Sequence, residues 1–407
     1  MAKIAIVVIP FWGHVNVTLS VGQELIARGH NVRWFLPTRL NGLVIPDGGD
    51  IVYTNTNRQS EVDELIGKLE ACRSKPAFEG VKYVMEEVLV PLAEAMFDKL
   101  NDLIAMYLPD LILHDEQTYA GAFCAYQNGI PYVTTHPAPS GIFETSGLEN
   151  IREWYFNCLM QLQTKLGIRS RKLLYISAEL GLAFSPRDFA NTENLLPQQK
   201  FVGPCTDVAR TCSETFDTSL LANGNKKNIL VSIGTLLSGE ASNFFRLAAD
   251  EFADTPYTIV VTTEPEILEN WPANFIVQKR IPYSGVLKHI DVIITHGGAN
   301  TVCESIANGI PLIVIPMAYD QYYVGDQVEI NKIGVRLRYK RLKPGILLKA
   351  CNTLLAENNE YKQNVLRFSE VYKNAGGAKK ACDLIGSHFF AQNKHNFIKK
   401  ENTQKTL

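Results

Sequence analysis

The chain has 407 residues, 46% of them hydrophobic, with a formal net charge of −2 and a pI near 6.5. That length exceeds what one core sustains, about 250–300 residues, so two cores are expected, and the near-neutral charge argues against a nucleic-acid partner. No apolar run approaches the ~20 residues that span a bilayer, and the eight cysteines form no C-x-x-C pair, which predicts a cytoplasmic protein with reduced thiols.

Taken in order, the chain alternates short β-branched runs with helical patterns, the signature of βαβ units and a parallel sheet. Residues 4–9 are all apolar and too short for a signal-peptide core, so they read as a buried strand. Residues 10–16 read as a loop, 17–28 as an amphipathic helix stopped by Gly29, and 32–36 as the next strand. Pro109 introduces a strand at 111–113 and Pro131 one at 132–135, with a helix at 119–128 between them. A second series of strands begins at 228–233 and continues at 257–261, 275–277, 292–295 and 312–315. The stretch 204–227, rich in Thr, Ser, Asn and Asp, is poor in strand signal and reads as a linker.

The predicted architecture is α/β, two Rossmann-like domains facing across a cleft. Residues 1–203 are expected to form the first domain and 228–380 the second, with a further helix at 381–392 and a polar tail at 393–407. Ligands in such sheets bind beyond the carboxyl ends of the strands, so the loops at 10–16, 114–117, 234–238 and 296–300 are expected to line the cleft. Neither a G-x-G-x-x-G nor a Walker loop occurs, which disfavours a dehydrogenase or a kinase.

The segment Thr295-His296-Gly297-Gly298-Ala299-Asn300-Thr301 lies where a strand gives way to a helix. Adjacent glycines let the backbone approach a ligand, and the helix N-terminus favours an anion. Asn300 and Thr301 are suited to capping that helix or to donating to phosphate oxygens. Glu304, one turn on, is suited to accepting from a diol. Taken alone, a G-G-x-N would more simply be a tight turn with a helix cap.

The context changes that reading. His296-Gly-Gly-Ala-Asn-Thr-x-x-Glu304, followed by Gly309-Ile310-Pro311, Pro316 and Asp320-Gln321, resembles the nucleotide-sugar signature of family 1 glycosyltransferases of the UDP-glycosyltransferase type. These enzymes have the two-domain GT-B fold, and the resemblance, nearest to the bacterial macrolide and antibiotic type, implies that 1–203 is the acceptor-binding domain, 228–380 the nucleotide-sugar domain and 381–392 a helix crossing back to the first domain. Phe184-Ser185-Pro186-Arg187, Phe201-Val202-Gly203-Pro204, Val231 to Thr235 and Gly376-Gly377-Ala378 extend it over most of the chain. The resemblance implies a donor site of Gly234, Thr235, Arg280, His296, Gly298, Asn300, Thr301, Glu304, Asp320 and Gln321. His296, Asn300 and Thr301 would contact the diphosphate, Glu304 the ribose, and Asp320 and Gln321 the transferred sugar. The chain departs from the family where a Trp usually stacks on the donor base, because Arg280 stands there, followed by Pro282 and Tyr283. That leaves the donor open between UDP-glucose and a dTDP-sugar, with UDP favoured.

His14 lies in the turn after the first strand, where the family carries its catalytic base, and neutral imidazole suits proton removal from an acceptor hydroxyl near pH 7. Asp115 matches the family's partner carboxylate, with Glu116 as its rival. The implied reaction is an inverting in-line displacement without metal or other cofactor; no Asp-x-Asp occurs in the chain. Trp12, His136 and Phe143, with Phe11 and the run Trp154-Tyr155-Phe156, are candidates for the wall of a hydrophobic small-molecule acceptor site. For the last run, ordinary core packing is an equal alternative. The expected state is a monomer or weak homodimer. A sugar-nucleotide epimerase or phosphorylase of the same architecture, or a non-catalytic sugar-nucleotide-binding helper, are the other readings. The first needs a different catalytic constellation and the last a broken base or donor loop.

Overall fold

The computed structural model describes residues 1–54, 58–71, 77–137, 149–190, 196–205, 215–222, 226–234, 238–317 and 320–390. Thr235, Phe143 and the polar tail at 393–407 lie outside these residues.

The first sheet has seven strands: β1 Lys3–Val7, β2 Asn31–Leu36, β3 Asp50–Tyr53, β4 Leu111–Asp115, β5 Tyr132–His136, β6 Gly181–Ala183 and β7 Gln199–Phe201. Their order is β3-β2-β1-β4-β5-β6-β7, and every pairing is parallel. The order reverses between β1 and β4, where the crevice of a doubly wound sheet opens. The strands connect through α1 Trp12–Ala27, α2 Gln59–Ala71, α3 Ala77–Val84, α4 Val90–Tyr107, α5 Tyr119–Gln127, α6 Glu149–Lys165 and α7 Arg187–Ala190. A five-residue π-helical turn, Met85–Leu89, joins α3 to α4.

The second sheet has six strands, β8 Asn228–Ser232, β9 Thr258–Thr262, β10 Phe275–Gln278, β11 Val292–Thr295, β12 Leu312–Val314 and β13 Gly334–Arg336. Their order is β10-β9-β8-β11-β12-β13, again all parallel. Its helices are α8 Ser238–Phe252, α9 Tyr283–Val286, α10 Ala299–Ala307, α11 Gln321–Ile330, α12 Ile346–Leu355, α13 Glu360–Lys373 and α14 Gly377–Ile385. Central strands β4, β8 and β11, and β1 beyond Lys3, are buried, with apolar residues through their middles, as parallel strands covered by helices must be.

The last helix packs away from its own sheet. Ala381, Cys382 and Ile385 of α14 join Val17, Val21 and Leu25 of α1 and Ile4 and Ile6 of β1 in one apolar cluster. The end of the chain thus completes the core around the first sheet.

One boundary differs in a way that matters for the site. Residues 12–16, expected as loop, form the first turn of α1. Phe11 is its extended N-cap, with φ −113° and ψ 134° and no side-chain cap. The Phe11 carbonyl oxygen accepts from the amides of His14 at 2.9 Å and Val15 at 2.8 Å. A helix opening on Trp-Gly-His without a Ser, Thr, Asp or Asn cap carries none of the usual start signals. Gly13 is therefore a helical residue and not the pivot of a tight turn.

Candidate active site

Because β4 ends at Asp115 and α1 begins at Trp12, the ends of neighbouring elements at the sheet's switch point bring His14 onto Asp115. His14 Nδ1 lies 2.7 Å from Asp115 Oδ2; the histidine side chain is 18% exposed and the aspartate wholly buried. The other carboxylate oxygen of Asp115 accepts from the Gln117 amide at 3.0 Å. A carboxylate accepting at Nδ1 puts the imidazole proton there and leaves Nε2 with its lone pair, the tautomer a general base needs. Burial opposes charge on His14, but the charge and hydrogen bond of Asp115, with the charges of Glu116 and Asp320, outweigh it and raise the pKa above 6.5. Glu116, weighed as the rival partner, goes elsewhere: its Oε2 lies 2.7 Å from Nδ1 of His136.

Asp320 comes from the second half of the chain. It precedes α11, its side chain makes no capping bond to that helix, and it is near enough to feel the charge of His14. Burial raises its pKa from 3.8 to about 6; His14 works against that rise, and Glu116 adds to it. Beside it, Gln321 accepts through Oε1 from the Met317 amide at 2.9 Å.

The glycine-rich turn wraps the ring of His296. A Cβ on Gly234 would lie 3.0 Å from His296 Cε1, and one on Gly298 would lie 2.9 Å from its Nε2. The half-buried imidazole is thus seated between two stretches of bare backbone. Gly298 is the N-cap of α10 and no side chain caps that helix, so Asn300 and Thr301 stand inside its first turn instead of capping it. Asn300 and Glu304 line a small cavity between the halves, facing Asn16, Val17 and Ser20 of α1. Thr301 turns to the buried side of the helix with Val302 and Ser305.

Arg280 is exposed and reaches the first half. A Cβ on Gly42 would lie 3.6 Å from an Arg280 Nη1 and 4.0 Å from Trp12 Cζ2. Trp12 is 37% exposed at the same edge, and Phe11 meets the His14 ring edge-on, centroids 6.2 Å apart. His136 is wholly buried, so it stands behind Glu116 and does not itself line the cleft. Of the aromatic run in α6, Tyr155 is buried, with its hydroxyl 2.9 Å from that of Tyr119, while Phe156 is exposed. Trp154 donates to Glu86 at 3.1 Å.

Asn16 and Ser20 were missed by the sequence reading, though four residues apart they share a helix face with Trp12. That signal is visible only once α1 is started at Trp12.

A model of the UDP-glucoronosyl and UDP-glucosyl transferase family matches residues 169–377, just over half the chain. The chain belongs to this family. It is therefore a glycosyltransferase. Over 397 residues it is 27% identical to the NDP-glycosyltransferase YjiC of Bacillus subtilis strain 168, covering 94% of this chain and 96% of that one. It is 28% identical over 405 residues to the demethyllactenocin mycarosyltransferase of Streptomyces fradiae, covering 95% and 86%. Among solved structures it is similar to the glycotransferase of kitacinnamycin, with a TM-score of 0.77 at 22% identity, covering 95% and 99%. The fold of this glycosyltransferase is GT-B. No helix among its described residues is long and apolar enough to cross a membrane.

Proposed function

We propose that this glycosyltransferase moves a hexose, glucose foremost, from a nucleotide-sugar donor to a hydroxyl of a hydrophobic small molecule, with inversion at the anomeric carbon. The observation that carries the reading is the His14–Asp115 pair, 2.7 Å apart, at the cleft into which Asp320 enters from the other sheet.

In the proposed step the acceptor oxygen attacks the anomeric carbon as its proton passes to Nε2 of His14. The bond from that carbon to the diphosphate oxygen breaks on the opposite face. Asp115 holds Nδ1–H and stabilises the imidazolium that forms. Charge on the departing diphosphate meets the free amides and positive dipole end of α10, with Asn300 beside them. These groups supply the stabilisation, so the reaction is read as independent of a metal. Asp320 and Gln321 are assigned to sugar hydroxyls and Glu304 to the ribose. UDP is favoured over dTDP, with Arg280 lying flat on the base. The names of the relatives, which act on or belong with natural products, support a small hydrophobic acceptor.

A ligand that binds only the folded state raises the unfolding temperature. UDP is expected to shift it most, dTDP less and GDP least; no shift with any of them overturns the donor assignment. Incubation of UDP-glucose with a phenolic acceptor is expected to yield the β-glucoside, at a rate unchanged by EDTA. An α-glucoside overturns inversion, and an epimer of the donor sugar formed without acceptor overturns transfer.

A further inference from the structure

Two histidine–carboxylate pairs stand side by side at the carboxyl end of the first sheet, and the reaction proposed above uses only one. Asp115 and Glu116 are consecutive, so their side chains leave the strand end in different directions. Asp115 is buried and serves His14. Glu116 keeps 26% of its side chain exposed, and one of its oxygens is held at 2.7 Å by Nδ1 of His136. Its backbone is fixed as well, the Glu116 amide donating to the Thr135 carbonyl oxygen at 3.1 Å. The parallel register that sets Asp115 beside Thr135 brings His136 beside Glu116.

His136 is costly to keep. It is wholly buried, and its Nε2 finds no hydrogen-bond partner. The ring also packs closely on a glycine of β6, since a Cβ on Gly181 would lie 3.2 Å from that nitrogen. A buried polar atom left unpaired opposes folding. What the ring does is aim a carboxylate. Glu116 acts electrostatically on both His14 and Asp320, which places it at the reacting end of the cleft.

We propose that Glu116, aimed by His136, selects acceptors that carry a second hydroxyl next to the one attacked, that is, vicinal diols and catechols. The attacked hydroxyl gives its proton to His14, and the neighbouring hydroxyl donates a hydrogen bond to the exposed oxygen of Glu116. Such charge-assisted bonds are short and strong. Glu116 is a specificity residue and His136 its positioning residue. The inference rests on the transfer reaction proposed above.

The test compares 3,4-dihydroxybenzaldehyde with 4-hydroxybenzaldehyde as acceptors for UDP-glucose. They differ only in the second hydroxyl, and the readout is their ratio of kcat/KM, which is insensitive to the fraction of active enzyme. The wild type is expected to favour the diol about tenfold, the size of one hydrogen bond to a charged group, mainly through a lower KM. Glu116→Ala is expected to bring the ratio below about twofold. His136→Leu, which frees the carboxylate without removing it, is expected to do most of the same, and His136→Asn, which keeps a donor, to restore part of the preference. A ratio near one in the wild type, or one that survives Glu116→Ala, overturns this inference while leaving transfer standing. Failure to glycosylate either acceptor or any other phenol overturns the transfer reading and this inference with it.

Discussion

Asn300 donates through Nδ2 to the backbone carbonyl oxygen of Trp12, 3.4 Å away, so the first turn of α10 touches the first turn of α1. The two helix starts bring the proposed diphosphate site and the proposed base to the same crevice. Asn300 is assigned to the leaving phosphate, so this long bond is one that the donor would exchange for a shorter, charge-assisted one. Asn300→Ala is expected to weaken UDP binding about tenfold by calorimetry while costing only about 1 kcal/mol of stability. Unchanged UDP affinity would remove Asn300 from the donor site.

His14 accepts a proton only when neutral, and its pKa is held above 6.5 by the three carboxylates around it, against the opposing effect of burial. Transfer is therefore expected to rise with pH through an acid limb displaced above 6.5. Asp115→Asn removes the largest of the raising influences. The limb is expected to move to lower pH while the plateau drops about 10²–10⁴-fold, the span of general-base catalysis. A limb that stays put in Asp115→Asn would show that another group titrates.

Asp320 makes a separate prediction, about stability. Its pKa is raised from 3.8 to about 6, so the fold binds a proton that the unfolded chain has already released in that interval. Stability contributed by this group is present below 3.8 and is lost as pH rises through about 6. His14, also raised, loses its contribution in the same direction at higher pH. Asp320→Asn is expected to gain urea resistance relative to the parent on going from pH 4 to pH 7. A difference that is flat with pH contradicts the raised pKa.

His296 is seated by absent side chains. Gly298 has φ −59°, so Gly298→Ala strains no backbone, and the nearest atoms to its methyl group are those of the imidazole. Displacement of the ring is expected to weaken donor binding about tenfold or more, on the scale of a lost charge-assisted hydrogen bond. In a His296→Ala background the same substitution is expected to cost little further, since the two act through one contact. Additive losses would mean that Gly298 matters for another reason. Gly234, at φ +67°, is expected to tolerate Ala worse because the backbone itself resists.

Ile385 tests which core the chain end belongs to. It is fully buried with the residues of α1 and β1, so Ile385→Ala is expected to cost about 2–5 kcal/mol. The loss is read from urea unfolding monitored by Trp34, a buried residue of the same cluster. No change in that signal would detach α14 from the first sheet's core.

The alternation of strands and helices, the two series of strands and the glycine-bearing turn between β11 and α10 are legible in the residues alone. These are local: apolar period, turn residues and helix-end chemistry are written in consecutive positions. His14 is singled out by resemblance, because its turn matches the one that carries the catalytic base in family 1 glycosyltransferases. Which of two adjacent carboxylates that histidine meets is set by the packing of β4 against β5. Asp115 and Glu116 differ by one residue, and their directions depend on where β4 stops and how it pairs with β5. The start of α1 was hidden for a related reason, since Phe11 caps it with backbone alone and Gly-His-x-Asn carries little helix propensity. With the start moved to Trp12, Asn16 and Ser20 fall opposite Glu304, and His136 comes to rest behind Glu116. Those juxtapositions follow from register and helix phase between distant segments, which no single stretch of sequence contains.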